Sequence, residues 1–286
     1  MNTTPDARLP PQQPPRAGTT QHGAEGRRWT AHDERAATRD SGLPQTATRT
    51  RIKICGLTRE EDVDAAVAAG ADAIGFVMYA PSPRAVSPER AAQLAKRLPP
   101  FVSPVLLFVN EVTATVQAIS ALVPGCVLQF HGDESPADCM AGAASPSRPY
   151  LRAARIPLGE GAAQFDLVKY ALEHSHAQAI LLDAHVEGYG GSGKAFNWSL
   201  LPPSVSSHLV LSGGLTPANV TDGILQVRPR CKTLAVDVSS GVEADGPDGK
   251  PVKGIKDAEK IQRFVAAVRA ADAQLAKNLH DLLSAT

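Results

Sequence analysis

Arg51-Ile52-Lys53-Ile54-Cys55-Gly56-Leu57-Thr58 decides how the rest of the chain is read. Apolar and basic residues alternate into a cysteine, and a glycine breaks the run, as expected of a strand ending at a turn. Thr58 stands where a helix N-cap is expected, with Glu60, Glu61 and Asp62 following, carboxylates that suit the positive end of a helix. The stretch reads as a strand that delivers a thiol to its C-terminal end and turns at once into a helix. A lone cysteine is more often a small core residue than a reactive one. What Cys55 does therefore depends on the chain around it.

Working outward, the same unit recurs. After Ile52–Cys55 come apolar, β-branched runs at 73–77, 105–109, 126–130, 150–153, 179–182, 209–211 and 234–238. Helical patterns lie between most of them, at 60–69, 88–98, 112–122, 135–141, 162–172 and 217–227, with a last one at 256–276. Pro202 and Pro203 leave room for only a turn near Asn197–Leu201 after the sixth run. Eight strands, each with a crossover, form parallel βαβ units. Their span of roughly 220 residues fits a (β/α)8 TIM barrel. A doubly wound open sheet is the alternative, but no glycine fingerprint follows the first strand. The barrel, residues 51–286, is the expected catalytic domain.

Residues 1–50 are of different material, crowded with Pro, Gln, Thr, Gly and Arg and nearly free of aliphatic side chains. They read as a disordered N-terminal extension or an over-long start. They carry no apolar signal core, and their acidic residues argue against an organelle transit peptide. The whole chain has 43% hydrophobic residues and zero formal net charge, which gives no electrostatic footprint for nucleic acid. No apolar run is long enough to span a membrane. The four cysteines form no C-x-x-C pair and have no histidine at metal spacing. Free thiols suggest a reducing, cytoplasmic compartment.

In such a barrel the chemistry sits just after the strands. Cys55 ends the first, Arg84 follows the second in a stiff Pro81-Ser82-Pro83 loop, and Asn110 follows the third. His131 follows the fourth, Arg155 the fifth, Asp183 ends the sixth, and Asp237 lies in the end of the eighth. Ser212-Gly213-Gly214 and Ser239-Ser240-Gly241 follow the last two strands, where these barrels build phosphate sites from backbone N–H groups. Two ordinary tight turns are the bland alternative; their place after those two strands favours phosphate. Gly188-Tyr-Gly-Gly-Ser-Gly-Lys-Ala195 nearly matches a nucleotide-cradling loop but lacks its magnesium-binding hydroxyl, and reads instead as a flap over a substrate. His131 is open to a purely structural reading, and Asp138 and Cys139 look structural.

Lys53-Ile-Cys-Gly-Leu-Thr58, Gly70-Ala-Asp-Ala-Ile-Gly-Phe76, Gln129-Phe-His-Gly132, Leu181-Leu-Asp183, Leu211-Ser-Gly-Gly-Leu-Thr216 and Val236-Asp-Val-Ser-Ser-Gly-Val-Glu243 resemble the phosphoribosylanthranilate isomerases of tryptophan biosynthesis. The resemblance covers Arg51 to about Arg269 and omits the head. It implies an Amadori rearrangement of N-(5-phosphoribosyl)anthranilate to 1-(2-carboxyphenylamino)-1-deoxyribulose 5-phosphate, with no metal or cofactor. It also implies Asp183 as general acid, Cys55 as general base and Arg84 as holder of the anthranilate carboxylate. His131 and Asp237 join Arg84 as substrate-binding candidates. Gly213, Gly214, Ser239, Ser240 and Gly241 would hold the phosphate. A thiolate base needs a lowered pKa, expected from the helix beginning near Thr58 and from Lys53. The acid needs a raised one, expected from desolvation. Expected partners are the small phosphoribosyl substrate alone, in a monomer or homodimer.

Other phosphosugar barrels are competing readings. An indole-glycerol-phosphate synthase is expected to use lysine and glutamates, and the related histidine-pathway isomerase a pair of aspartates; the first strand here offers cysteine. A catalytically dead sugar-phosphate sensor would be expected to have lost Cys55 or Asp183.

Overall fold

Strict alternation in and out of each strand builds the architecture, seen in a computed structural model that describes residues 49–144, 147–158, 161, 164–184 and 197–284. The strands are β1 (Arg51–Cys55), β2 (Ala73–Val77), β3 (Ser103–Phe108), β4 (Val127–Phe130), β5 (Tyr150–Ile156), β6 (Ala179–Ala184), β7 (Val205–Leu211) and β8 (Cys231–Val238). They close in chain order into one parallel barrel, β8 pairing with β1. Ile52, Ile54, Ile74, Phe76, Leu106 and Phe108 point outward into the main core beneath the helices. Their neighbours in sequence point inward, where Ala153, Leu181 and Val210 form a small layer and Cys55, Val77 and Leu107 another. A period of two thus sends every second side chain of the barrel into its axis.

The helices are α1 (Glu60–Ala69), α2 (Pro88–Ala95), α3 (Thr113–Ala121), α4 (Pro136–Ala143), α5 (Leu167–Glu173), α6 (Val220–Val227) and α7 (Ala258–Ser284). Ser87 caps α2 ahead of Pro88, and Ser135 with Asp138 forms a capping box on α4. Among the described residues between β6 and β7 there is a 3-10 turn, Trp198–Leu200, ahead of the two prolines.

Several expectations are corrected. Thr58 does not cap α1; Arg59 holds that position without a side-chain bond, and the Thr58 hydroxyl donates to the Gly254 carbonyl at 2.8 Å. β5 runs on to Ile156, so Arg155 lies within the strand, opposite Asp183. α5 starts at Leu167, because the Asp166 side chain accepts from the Lys169 N–H and fixes the helix start there. The connection between the eighth strand and the last helix forms an antiparallel pair, β9 (Glu243–Asp245) and β10 (Pro251–Lys256), so Lys256 ends a strand and the last helix opens at Ala258. The head and the glycine-rich flap lie outside the described residues.

At the floor of the barrel, the N-terminal ends of the strands, Thr50 is fully buried. Its N–H and hydroxyl donate to Asp272 of α7 at 2.9 and 2.5 Å. Arg228 donates to the Thr50 hydroxyl, and Arg269 donates to the Thr50 carbonyl at 2.8 Å. Among the described residues no helix is long and apolar enough to cross a membrane.

Candidate active site

The opposite rim gathers a different set of polar side chains. Lys53 and Asp237 are partners in the β1–β8 ladder, so their inward side chains meet: the ammonium lies 2.8 Å from the carboxylate, both buried. Cys55, two residues on, shares that face. Burial pulls the Lys53 ammonium down, but Asp237 and Cys55 outweigh it and hold its pKa above the ordinary value. Burial pushes the Cys55 thiol up, against the pull of Lys53; Asp237 adds to the rise and Lys256 opposes it. The expected lowering is therefore overturned, since desolvation outweighs the neighbouring cation. Gly75 leaves the room: a Cβ there would stand 2.7 Å from the Cys55 sulfur and 3.0 Å from Lys53 Cε.

Across the barrel, His131 just past β4 meets Asp183 of β6, Nε2 to Oδ2 at 2.9 Å, both buried. The other ring nitrogen lies 2.9 Å from the amide nitrogen of buried Gln129. Asp183 Oδ1 accepts the Ala184 N–H at 2.9 Å. The loop carrying His131 is braced from behind. Glu134 accepts the N–H groups of Asn110 and Gly132 at 2.7 and 2.9 Å. Arg152 donates to the carbonyls of Phe130 and Gly132 and to Glu134 at 3.0–3.2 Å.

Arg84 does not stand free on its stiff loop. Its Nε and Nη2 form a bidentate pair with Glu243, which is wholly buried, at 2.6 and 2.8 Å. Lys256 adds 3.3 Å to the same carboxylate and 2.9 Å to the Ser239 carbonyl. Arg84 and Lys256 around one glutamate leave a net positive cluster, with Arg84 Nη1 unbonded among the described residues. Burial raises the Glu243 carboxyl, yet these two cations and the Gly254 N–H hold it below its usual range. Burial lowers Lys256, against the pull of Glu243.

The loops after β7 and β8 close the ring. Gly213 and Gly214 both take positive φ, +74° and +68°, a conformation that side-chain-bearing residues rarely adopt. A Cβ on Gly213 would also stand 2.7 Å from Asp183 Oδ1. A Cβ on Gly241 would fall 1.9 Å from the Leu215 carbonyl oxygen, so the two loops meet backbone to backbone. Ser240–Val242 form a short 3-10 turn at the same rim.

One pocket is lined by Cys55, Arg84, His131, Asp183 and Asp237 together with Gly213, Gly214, Ser239 and Ser240. Gly241 lines the neighbouring cavity between the β7 loop and the β9–β10 pair. Arg155 pairs with Asp133 at 3.1 Å, and Cys139 is buried in the helical core. Sequence reasoning passed over Gln129, Glu243 and Lys256, and named Lys53 only for its effect on Cys55, not as the partner of Asp237. Lys53 and Gln129 were detectable: each sits two residues before a named candidate in a strand, hence on its face. Among the described residues no cluster of His, Cys, Asp or Glu is arranged to hold a metal ion.

Fold and site together define a (β/α)8-barrel enzyme whose polar groups gather at the C-terminal rim of the strands. The family model described as N-(5'phosphoribosyl)anthranilate (PRA) isomerase matches residues 52–267. The N-(5'-phosphoribosyl)anthranilate isomerase of Methylibium petroleiphilum is 61% identical over 228 residues, 80% of this chain and 98% of that protein. The crystal structure of phosphoribosyl anthranilate isomerase from Thermotoga maritima superposes with a TM-score of 0.65 at 38% identity, covering 77% of this chain and 99% of that one. A phosphoribosyl anthranilate isomerase in complex with reduced 1-(o-carboxyphenylamino)-1-deoxyribulose 5-phosphate gives 0.62 at 36% identity, with the same coverage. The chain belongs to the phosphoribosylanthranilate isomerase family.

Proposed function

We propose that this chain carries out the Amadori rearrangement of N-(5-phosphoribosyl)anthranilate in tryptophan biosynthesis, as a cytoplasmic monomer or homodimer. The observation that carries the reading is the single pocket into which Cys55 and Asp183 reach from different strands, beside the two glycine-serine loops. The relatives' names and the complex of a similar protein with a reduced product support the choice of substrate.

Asp183 gives its proton to the ring oxygen as the bond from that oxygen to C1′ breaks. The anilino nitrogen lone pair then forms the C1′=N bond of a protonated Schiff base. Cys55, as thiolate, takes the proton from C2′, and the released electron pair makes the C1′=C2′ bond and neutralises the nitrogen. Ketonisation moves the C2′ hydroxyl proton off and places one on C1′, so protons balance. Lys53 stabilises the thiolate form of Cys55, which burial otherwise keeps scarce. Arg84, aimed by its bidentate grip on Glu243, offers Nη1 to the anthranilate carboxylate. The backbone N–H groups of Gly213, Gly214, Ser240 and Gly241 and the Ser239 and Ser240 hydroxyls receive the phosphate. Asp237 serves the substrate through Lys53.

The test is to mix the purified chain with freshly made phosphoribosylanthranilate and follow the loss of its fluorescence. Loss much faster than in a matched Cys55→Ser sample is expected. Equal rates in both samples would reject the reaction.

A further inference from the structure

We infer that Gln129 is a positioning residue that locks His131 as the neutral tautomer with its proton on Nε2, and so keeps the acid proton of Asp183 for the substrate. The inference rests on the proposed role of Asp183 and deepens it. Gln129 is completely buried on the inner face of β4, two residues before His131. Its amide nitrogen, which can only donate, lies 2.9 Å from His131 Nδ1. Nδ1 must therefore present its lone pair, and a neutral imidazole then carries its hydrogen on Nε2. That hydrogen faces Asp183 Oδ2 at 2.9 Å.

Two consequences follow for the acid. His131 has no vacancy for a second proton, because a hydrogen on Nδ1 would confront the Gln129 N–H. The proton leaving Asp183 cannot pass sideways to the imidazole and must go to the substrate oxygen. As Asp183 loses it, the new carboxylate finds two donors in place, His131 Nε2–H on one oxygen and the Ala184 N–H on the other. The Gln129 carbonyl oxygen is buried with no partner among the described residues.

The test uses the full chain labelled with 15N-histidine, His131 being identified by the signal lost in His131→Asn. The wild type is expected to show Nε2 protonated and Nδ1 bare at neutral pH. A proton on Nδ1, alone or with Nε2, would overturn the inference without any activity measurement. Gln129→Leu is expected to lower kcat at least about 10-fold with KM little changed, and to release His131 into a mixture of tautomers. Gln129→Glu, closer in shape, is expected to lower kcat further by drawing a proton onto Nδ1. It stands in if the leucine variant does not fold. Either variant with wild-type kcat would overturn the role of Gln129 alone. A wild-type chain inactive on phosphoribosylanthranilate would overturn the reaction and this role with it.

Discussion

The two ends of the barrel use paired charge differently. At the floor, Asp272, Arg228, Arg269 and Thr50 bond to one another and to the backbone, and the set ties β1 to α7. At the rim, Lys53–Asp237, His131–Asp183 and Arg84–Glu243 are also paired, yet one member or both of each pair lines the pocket. A network closed on itself contributes to holding the fold. A network with an open side holds reactive groups at fixed positions, and its loss is expected to show in turnover before it shows in melting.

The sharpest way to break that comparison lies at the rim. Cys55→Ser and Asp183→Asn are each expected to lower kcat about 10²–10⁴-fold, with folding intact by circular dichroism and product-analogue binding retained by calorimetry. Because burial raises the Cys55 thiol, the wild-type rate limited by proton abstraction should climb with pH beyond the ordinary thiol range. Lys53→Met should push that climb higher still. A Cys55→Ser chain that keeps wild-type turnover would make the thiol a core residue.

Next in size is the floor. Asp272→Ala removes the carboxylate that accepts from the Thr50 N–H and hydroxyl and is expected to cost about 3 kcal/mol of stability, read by urea unfolding. The kcat of the folded fraction should not change; a fall would mean that the floor reaches the chemistry. Arg84→Ala sharpens the contrast from the other side. Losing one charged hydrogen-bonding partner, about 1.5–3 kcal/mol, should raise KM roughly 10–100-fold while kcat holds. A collapse of kcat at constant KM would assign Arg84 to the transition state.

The last effect, spread gradually over pH, is at His174, at the end of α5. Burial and the Arg152 charge lower its pKa to about 4. The folded chain resists a proton that the unfolded chain accepts below about 6.5. Stability should therefore fall as pH drops from about 6.5 towards 4, by at most about 1.4 kcal/mol per unit from this group. His174→Phe should flatten that slope, and an unaltered slope would place the acid sensitivity elsewhere.

Much of this was legible in the sequence, for a physical reason. Strand periodicity is local, so the runs from Ile52–Cys55 to Leu234–Val238 announced the barrel, and the residues at their ends announced the pocket. The partnerships were not legible, because they depend on ladder register: Lys53 meets Asp237 only when β8 closes on β1 with those two residues opposed. The β9–β10 pair escaped because its polar, glycine-rich stretch reads as a loop, and with it went the Arg84–Glu243 grip. The direction of the Cys55 shift was missed because burial depth is a property of the closed barrel.

The contact between Gly241 and the Leu215 carbonyl has a consequence for redesign. The loops after β7 and β8 touch so closely that a single added methyl would collide with main chain. Lengthening or grafting one loop while keeping the other would break the fit. Anyone retargeting this pocket to a different anion must exchange both together, as one interlocking part.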